Sequence, residues 1–209
     1  MPSTRHVRTA FVAVPLALAA LGATAAPAGA ASRPAGSLTC RGEGVDPDAA
    51  VRYRTQTVIH APLSTIWKLQ TEVGRWPSWQ SPVATMERLY HGPLRPGAAF
   101  RWTTPVPPNP STPATSLTIT STVRQIKHNA CIRWTGPAVG EGLHIDGVHV
   151  WNFSKVKDGV LVRTEETHTG PQVDAHVPAA TKLLGDGLEG WLRDLKTAAE
   201  AHHGGGRSR

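Results

Sequence analysis

From Val51 to Thr169 the chain is written mainly in period two. VRYRTQTVIHAP, VATMERLY, AAFRWTT, ATSLTITSTVRQI, NACIRWTG, GLHIDGVHVWNFSKV and GVLVRTEETHTG alternate side chains between two faces, the pattern of strands with one face buried. HGPLRPG, His128-Asn129 and Asp158-Gly159 separate several of them, and connections that short make neighbouring strands antiparallel. The period changes in LSTIWKLQTEV, where Ile66, Trp67, Leu69, Gln70 and Val73 suit a short helix capped by Ser64. GRWPSWQSPV, broken by Pro77 and Pro82, reads as a turn or second short helix. It changes for good after Val177, where Ala180, Leu184, Leu188, Trp191, Leu195 and Ala198 continue at spacings of three and four. About seven strands with helices segregated to one side specify an α+β fold. The expected architecture is a curved antiparallel sheet wrapped around a long C-terminal helix, with two short helices after the first strand.

Gly185, Gly187 and Gly190 lie inside that last helix. Each costs about 1 kcal/mol relative to Ala, so the helix depends on packing. Close approach to the sheet, or a gate that moves, would account for them.

The segments outside this pattern have their own signatures. MPSTRHVR is basic, TAFVAVPLALAALGATAAP is apolar, and Ala28-Gly29-Ala30 offers small residues for cleavage, so residues 1–30 read as a secretory signal peptide. The apolar run is short and holds Pro15 and Gly22, which disfavours a retained anchor; no membrane span is expected after cleavage, and the protein is expected to be secreted or extracytoplasmic. Residues 31–50 lack periodicity and read as a linker or loosely packed arm. TPVPPNPSTP is read as a stiff loop excluded from the sheet, since proline lacks the donor. Residues 51–202 are the domain, and 203–209 a disordered tail.

Without its first thirty residues the chain has 20 basic and 15 acidic residues, scattered rather than clustered. Nucleic acid is therefore not an expected partner. The exported chain holds two cysteines, Cys40 and Cys131, and an oxidising compartment invites a bond between them. Cys131 shares a strand face with Arg133, read as the outer one and within reach of the N-terminal arm. Two separate thiols are the alternative.

The stretch VRTEETHTG holds two glutamates and a histidine within four positions. Alternation puts Val162, Thr164, Glu166 and His168 on one face, and pairing through the Asp158-Gly159 hairpin sets them beside His149, Trp151 and Phe153. Asn152, Ser154, Arg163 and Glu165 fall on the other face, which looks solvated. The Trp151/Phe153 side is thus the concave one, with Trp102 and Trp134 also facing inward. Trp76 and Trp79 are read as structural wedges at the base of the sheet.

IHAPLSTIWKLQTEVGRWPSW, LRPGAAFRW, IRWTG, GVHVWNF, TEETHTG and LEGWLRDLK occur in this order. Together they resemble the SRPBCC, START-like or helix-grip superfamily, in its polyketide cyclase/dehydrase-like branch, over about Val51 to Ala201. The resemblance implies a deep apolar pocket for a hydrophobic small molecule, and no universal catalytic set. Its members include carriers, receptors and enzymes. The export signal and the proline-rich stretch Thr104 to Pro113 depart from the pattern.

The expected ligand contacts are Phe100, Trp102, Trp134, His149, Trp151, Phe153, Glu166 and His168 from the sheet, with Leu184 and Leu188 from the helix. His149, Glu166 and His168 have three readings. They satisfy one another as buried polar groups, they orient a ligand, or His149 or Glu166 acts as a general base. Zinc ligation is a fourth, without a spacing signature to support it; no metal or cofactor is implied. Binding of a hydrophobic or aromatic small molecule between sheet and helix is the first functional reading. The alternative is a cyclase or dehydratase using His149 and Glu166. A third class is a protein whose cavity is vestigial and whose outer surface does the work, for which a packed interior would speak.

Overall fold

The computed structural model describes residues 36–108 and 114–204. The signal-peptide reading, most of the tail and part of the proline-rich stretch lie outside the described residues. β1 (Thr39–Cys40) and β2 (Glu43–Gly44) form a small hairpin. β3 (Val51–Ile59) follows, then α1 (Leu63–Thr71) and a 3-10 turn (Val73–Ser78). β4 (Thr85–Arg88), β5 (Ala99–Val106), β6 (Thr115–Lys127), β7 (Cys131–Gly140), β8 (Leu143–Val156) and β9 (Gly159–Thr169) come next. α2 (Pro171–Ala175) and α3 (Val177–Gly204) end the chain. The large sheet has the order β3-β9-β8-β7-β6-β5-β4, antiparallel throughout. This is the α+β architecture that the alternation specifies, in the helix-grip form that the resemblance implies.

Two strands of the sheet approach closely at Gly136. A Cβ there would stand 1.9 Å from the carbonyl oxygen of Thr120 on the neighbouring strand, so only glycine fits. Hydrogen bonds near its C-terminal half tie α3 to the rest of the fold. Lys196 donates to the Val58 carbonyl at 2.6 Å, Glu200 accepts from the His60 amide at 2.9 Å, and Asp194 accepts from the amide and hydroxyl of Ser81. Gly185 lets α3 meet the Tyr53 ring, which a Cβ would approach to 2.7 Å. Gly187 has nothing near its Cβ position, so close packing explains one of these glycines and not the other. Leu192 and Ala199 join the buried stripe, one position beyond where simple spacing puts it, while Ala198 is only half-buried.

Several sequence expectations change. Ser64 is not the cap of α1: Pro62 is, without a side-chain hydrogen bond. β5 runs through Pro105, which pairs in register with Ser116. β4 pairs only with Phe100–Thr103, so the end of β5 is an edge, where a missing donor is tolerated. α3 continues two residues past the expected domain end at 202.

The largest change concerns residues 36–50. The hairpin lies on the sheet's convex face, where Leu38, Cys40 and Val45 pack with Cys131 and Val150. A disulfide joins Cys40 to Cys131. Arg133 donates to the Gly44 carbonyl at 2.7 Å, and Asn152 to that of Thr39 at 2.9 Å. Glu165, expected to be solvated, is 3% exposed because the arm covers it. Its carboxylate accepts from the Leu38 amide at 2.6 Å and the Ser37 hydroxyl at 3.2 Å, with Arg52 3.9 Å away. No periodic signal marks this packing, since the arm contributes alternate residues for only a few positions.

Candidate functional site

The space between sheet and α3 is occupied by rings. Trp76 from the 3-10 turn stands at its centre, fully buried, with ring centroids 4.8 Å from Trp191, 5.2 Å from Phe100, 5.9 Å from Trp134 and 6.2 Å from Trp102. Three of these contacts are edge-to-face, the geometry aromatic quadrupoles favour. Buried Gln70 accepts from two indoles, through its carbonyl from Trp76 at 3.3 Å and its side-chain oxygen from Trp191 at 3.2 Å. Trp79 is half-buried and touches Trp191.

Phe100, Trp134, Trp151 and Phe153 are buried in this one cluster, with Trp102 packed against it. Leu184 and Leu188 are not among them. They sit nearer the start of α3, in a second cluster with Val51, Ile145 and Val173. Sheet and helix contacts assigned to one ligand thus belong to separate packing units.

His149, Glu166 and His168 do meet. β8 and β9 pair His149 with Glu166 and Gly147 with His168, and glycine at 147 leaves room over the two side chains. The Glu166 carboxylate bridges the imidazoles, one oxygen 3.2 Å from His149 Nδ1 and the other 3.3 Å from His168 Nε2. His149 Nε2 lies 2.6 Å from the Thr164 hydroxyl. His149 is buried between Trp134 and Trp151, and this desolvation pushes its pKa down to about 4 against the opposing pull of Glu166. At neutral pH the ring is uncharged. Its Nδ1–H donates to Glu166, which as a carboxylate only accepts, and Nε2 accepts from Thr164. Burial pushes the Glu166 carboxyl up, but His149 and His168 outweigh it and hold it below the usual range. Both nitrogens of His149 are committed and Glu166 is made a weak base. Of the three readings, the geometry matches mutual satisfaction of buried polar groups. Among the described residues no group of side chains is arranged to hold a metal ion. Three buried donors among these rings are left over: Trp151 Nε1, Trp79 Nε1 and Gln70 Nε2 have no partner.

Open volume lies elsewhere. A groove of about 650 Å³ runs between α1 and the loop after β4. Trp67 and Val73 form one wall, Tyr90 and Leu94 the other, and Ile126 and His128 close the end. Trp67 is 7% exposed and packs edge-on against Phe153 and His128. Arg75 and Arg88 are at the rim. A second cavity, about 570 Å³, is polar and lies between arm and convex face, beside Asp46, Arg52 and Arg133. Neither is lined by any of the ten residues expected to contact a ligand. Sequence reading missed the groove because its walls come from four segments with no common period. The one signal is Tyr90 and Leu94 in a hairpin loop, where a core-facing role is not expected.

Comparison with known proteins agrees with the architecture. Residues 50–200 match the family described as "Polyketide cyclase / dehydrase and lipid transport". A START superfamily protein from Mycobacterium smegmatis superposes with a TM-score of 0.57 at 16% identity, covering 72% of this chain and 97% of that one. The di-domain ARO/CYC StfQ from the steffimycin biosynthetic pathway gives 0.56 at 17% identity, over 74% of this chain and 52% of its own. TTHA0849 from Thermus thermophilus gives 0.55 at 17% identity, over 72% of this chain and 98% of its own. A search of curated protein sequences finds no match. Identities this low speak for the fold alone.

Proposed function

The chain belongs to the polyketide cyclase/dehydrase and lipid transport family, and from that premise we propose that it is an exported domain that binds a hydrophobic or aromatic small molecule. We place the ligand in the groove beneath α1 rather than between sheet and α3. One observation carries this reading. The groove's volume of about 650 Å³, walled by Trp67, Val73, Tyr90, Leu94 and Ile126, is within the range of small-molecule sites, whereas the concave side is filled by aromatic rings. Binding is preferred to turnover because His149 and Glu166 hold each other and the groove's one carboxylate, Glu72, is ion-paired with Lys68 and Arg75. Export is supported by the basic start and apolar run of residues 1–30 and by the disulfide, a bond that persists in oxidising compartments.

Native mass spectrometry tests both parts, on protein purified without detergent from its own culture medium. The expected chain begins near residue 31 and carries an extra mass that is lost on denaturation and absent from the Ile126→Lys variant. A bare wild-type mass would remove support for a stable ligand. An extra mass retained by Ile126→Lys would move the site to the interior. A chain that keeps its first thirty residues would count against cleavage.

A further inference from the structure

We propose that the groove beneath α1 selects an anionic amphiphile: an apolar or aromatic body carrying a carboxylate, sulfonate or phosphate. This rests on the reading of the groove as the ligand site and adds the chemistry of its occupant. The groove carries unmatched positive charge. Glu72 is engaged by Lys68 at 3.8 Å and Arg75 at 3.4 Å. β4 carries Glu87 and Arg88 in succession, and of the two only Arg88 lines the groove. Glu87 pairs across the strands with Arg101 at 3.1 Å. Arg88 falls on the other side of β4 and has no carboxylate partner among the described residues. Its guanidinium lies 4.4 Å from the centroid of Tyr90 and donates to the Gly92 carbonyl.

Those two contacts fix the guanidinium in place and leave most of its five N–H donors without a protein acceptor. Arg95, on the same loop, donates only to the His91 carbonyl at 3.0 Å and also lacks an acidic partner among the described residues. The lining of an apolar groove therefore presents one planar cation, Arg88, already oriented by stacking and by backbone, with Arg95 farther along the same loop and outside the lining. That arrangement suits an oxyanion in the bidentate manner arginine favours. A neutral apolar ligand would use the walls and leave this charge unused.

Two fluorescent probes separate the walls from the charge: anilinonaphthalene sulfonate, and phenylnaphthylamine, which has a similar aromatic body without the sulfonate. The wild-type protein is expected to bind the sulfonate about tenfold more tightly than the neutral probe, the yield of one hydrogen-bonded ion pair. Arg88→Gln, at an exposed position, should lower sulfonate affinity about tenfold more than it lowers affinity for the neutral probe. Ile126→Lys and, as an independent block, Leu94→Lys should abolish binding of the neutral probe, with circular dichroism confirming that each variant is folded. Equal wild-type affinities, or an Arg88→Gln variant that binds the sulfonate like wild type, would overturn the anionic class while leaving the groove intact. Neutral-probe binding that survives both wall variants, or no binding of either probe to wild type, would overturn the groove reading as well.

Discussion

The two sides of α1 show opposite uses of aromatic residues. Toward α3, Trp76, Trp102, Trp134, Trp151, Trp191 and Phe100 pack against one another, and the polar groups among them are largely matched to neighbours: Gln70 to Trp76 and Trp191, Glu166 to His149 and His168. Toward the β4 loop, Trp67 and Tyr90 line open volume together with Arg88, whose guanidinium has no carboxylate partner among the described residues. The first region is organised for cohesion and the second for an occupant. The concave face of a curved sheet is therefore not by itself a pocket. What fills it decides, and here the indoles, each burying up to about 250 Å², take the space.

The strongest way to break this contrast is to empty the interior. Trp76→Ala removes a fully buried ring and should cost about 3–5 kcal/mol, read as a lower urea midpoint. If the rings alone exclude ligands there, the variant also gains phenylnaphthylamine binding that Ile126→Lys does not remove. A small loss with no new site would mean the interior is looser than its contacts imply.

Acid is the next lever. His149 has a folded pKa of about 4 against an ordinary 6.5, so between those values the unfolded chain holds a proton that the folded chain refuses. Stability then rises with pH across the window, is complete above 6.5 and falls by about 3 kcal/mol on descending to pH 4. Glu166, held low, acts in the same direction, its contribution being lost as pH falls through its lowered folded value. Denaturation midpoints measured from pH 7 to 4 should show this slope, and His149→Gln should flatten it. A flat wild-type profile would mean that burial does not outweigh the pull of Glu166 on His149.

The smallest effect concerns the helix over the interior. Gly187→Ala, in open space, should raise stability by about 1 kcal/mol, while Gly185→Ala should lower it by forcing Tyr53 aside. A thermal midpoint raised by both variants would show that α3 has slack against the sheet.

Period two made the strands and their faces legible. The hairpin at Asp158-Gly159 was enough to set His149 beside Glu166, because a short turn fixes which residues share a face. What alternation does not encode is whether the face encloses space. That depends on Trp76, delivered from a turn outside the sheet, and on where Leu184 and Leu188 fall along α3. The groove escaped for the same reason, its walls meeting only in three dimensions. So did the arm, whose composition reads as a linker and whose burial comes from strands far along the chain.

That arm has a bearing on how the chain is made. Residues 36–50 leave the ribosome before any part of their seat exists, for Cys131, Val150, Glu165 and Thr167 all follow much later. A segment made early thus settles late, and Cys40 waits for a partner 91 residues downstream. Until β9 is complete the sheet has no cover on its back. Removing the disulfide would therefore loosen the chain's beginning while leaving the strands it rests on paired with one another.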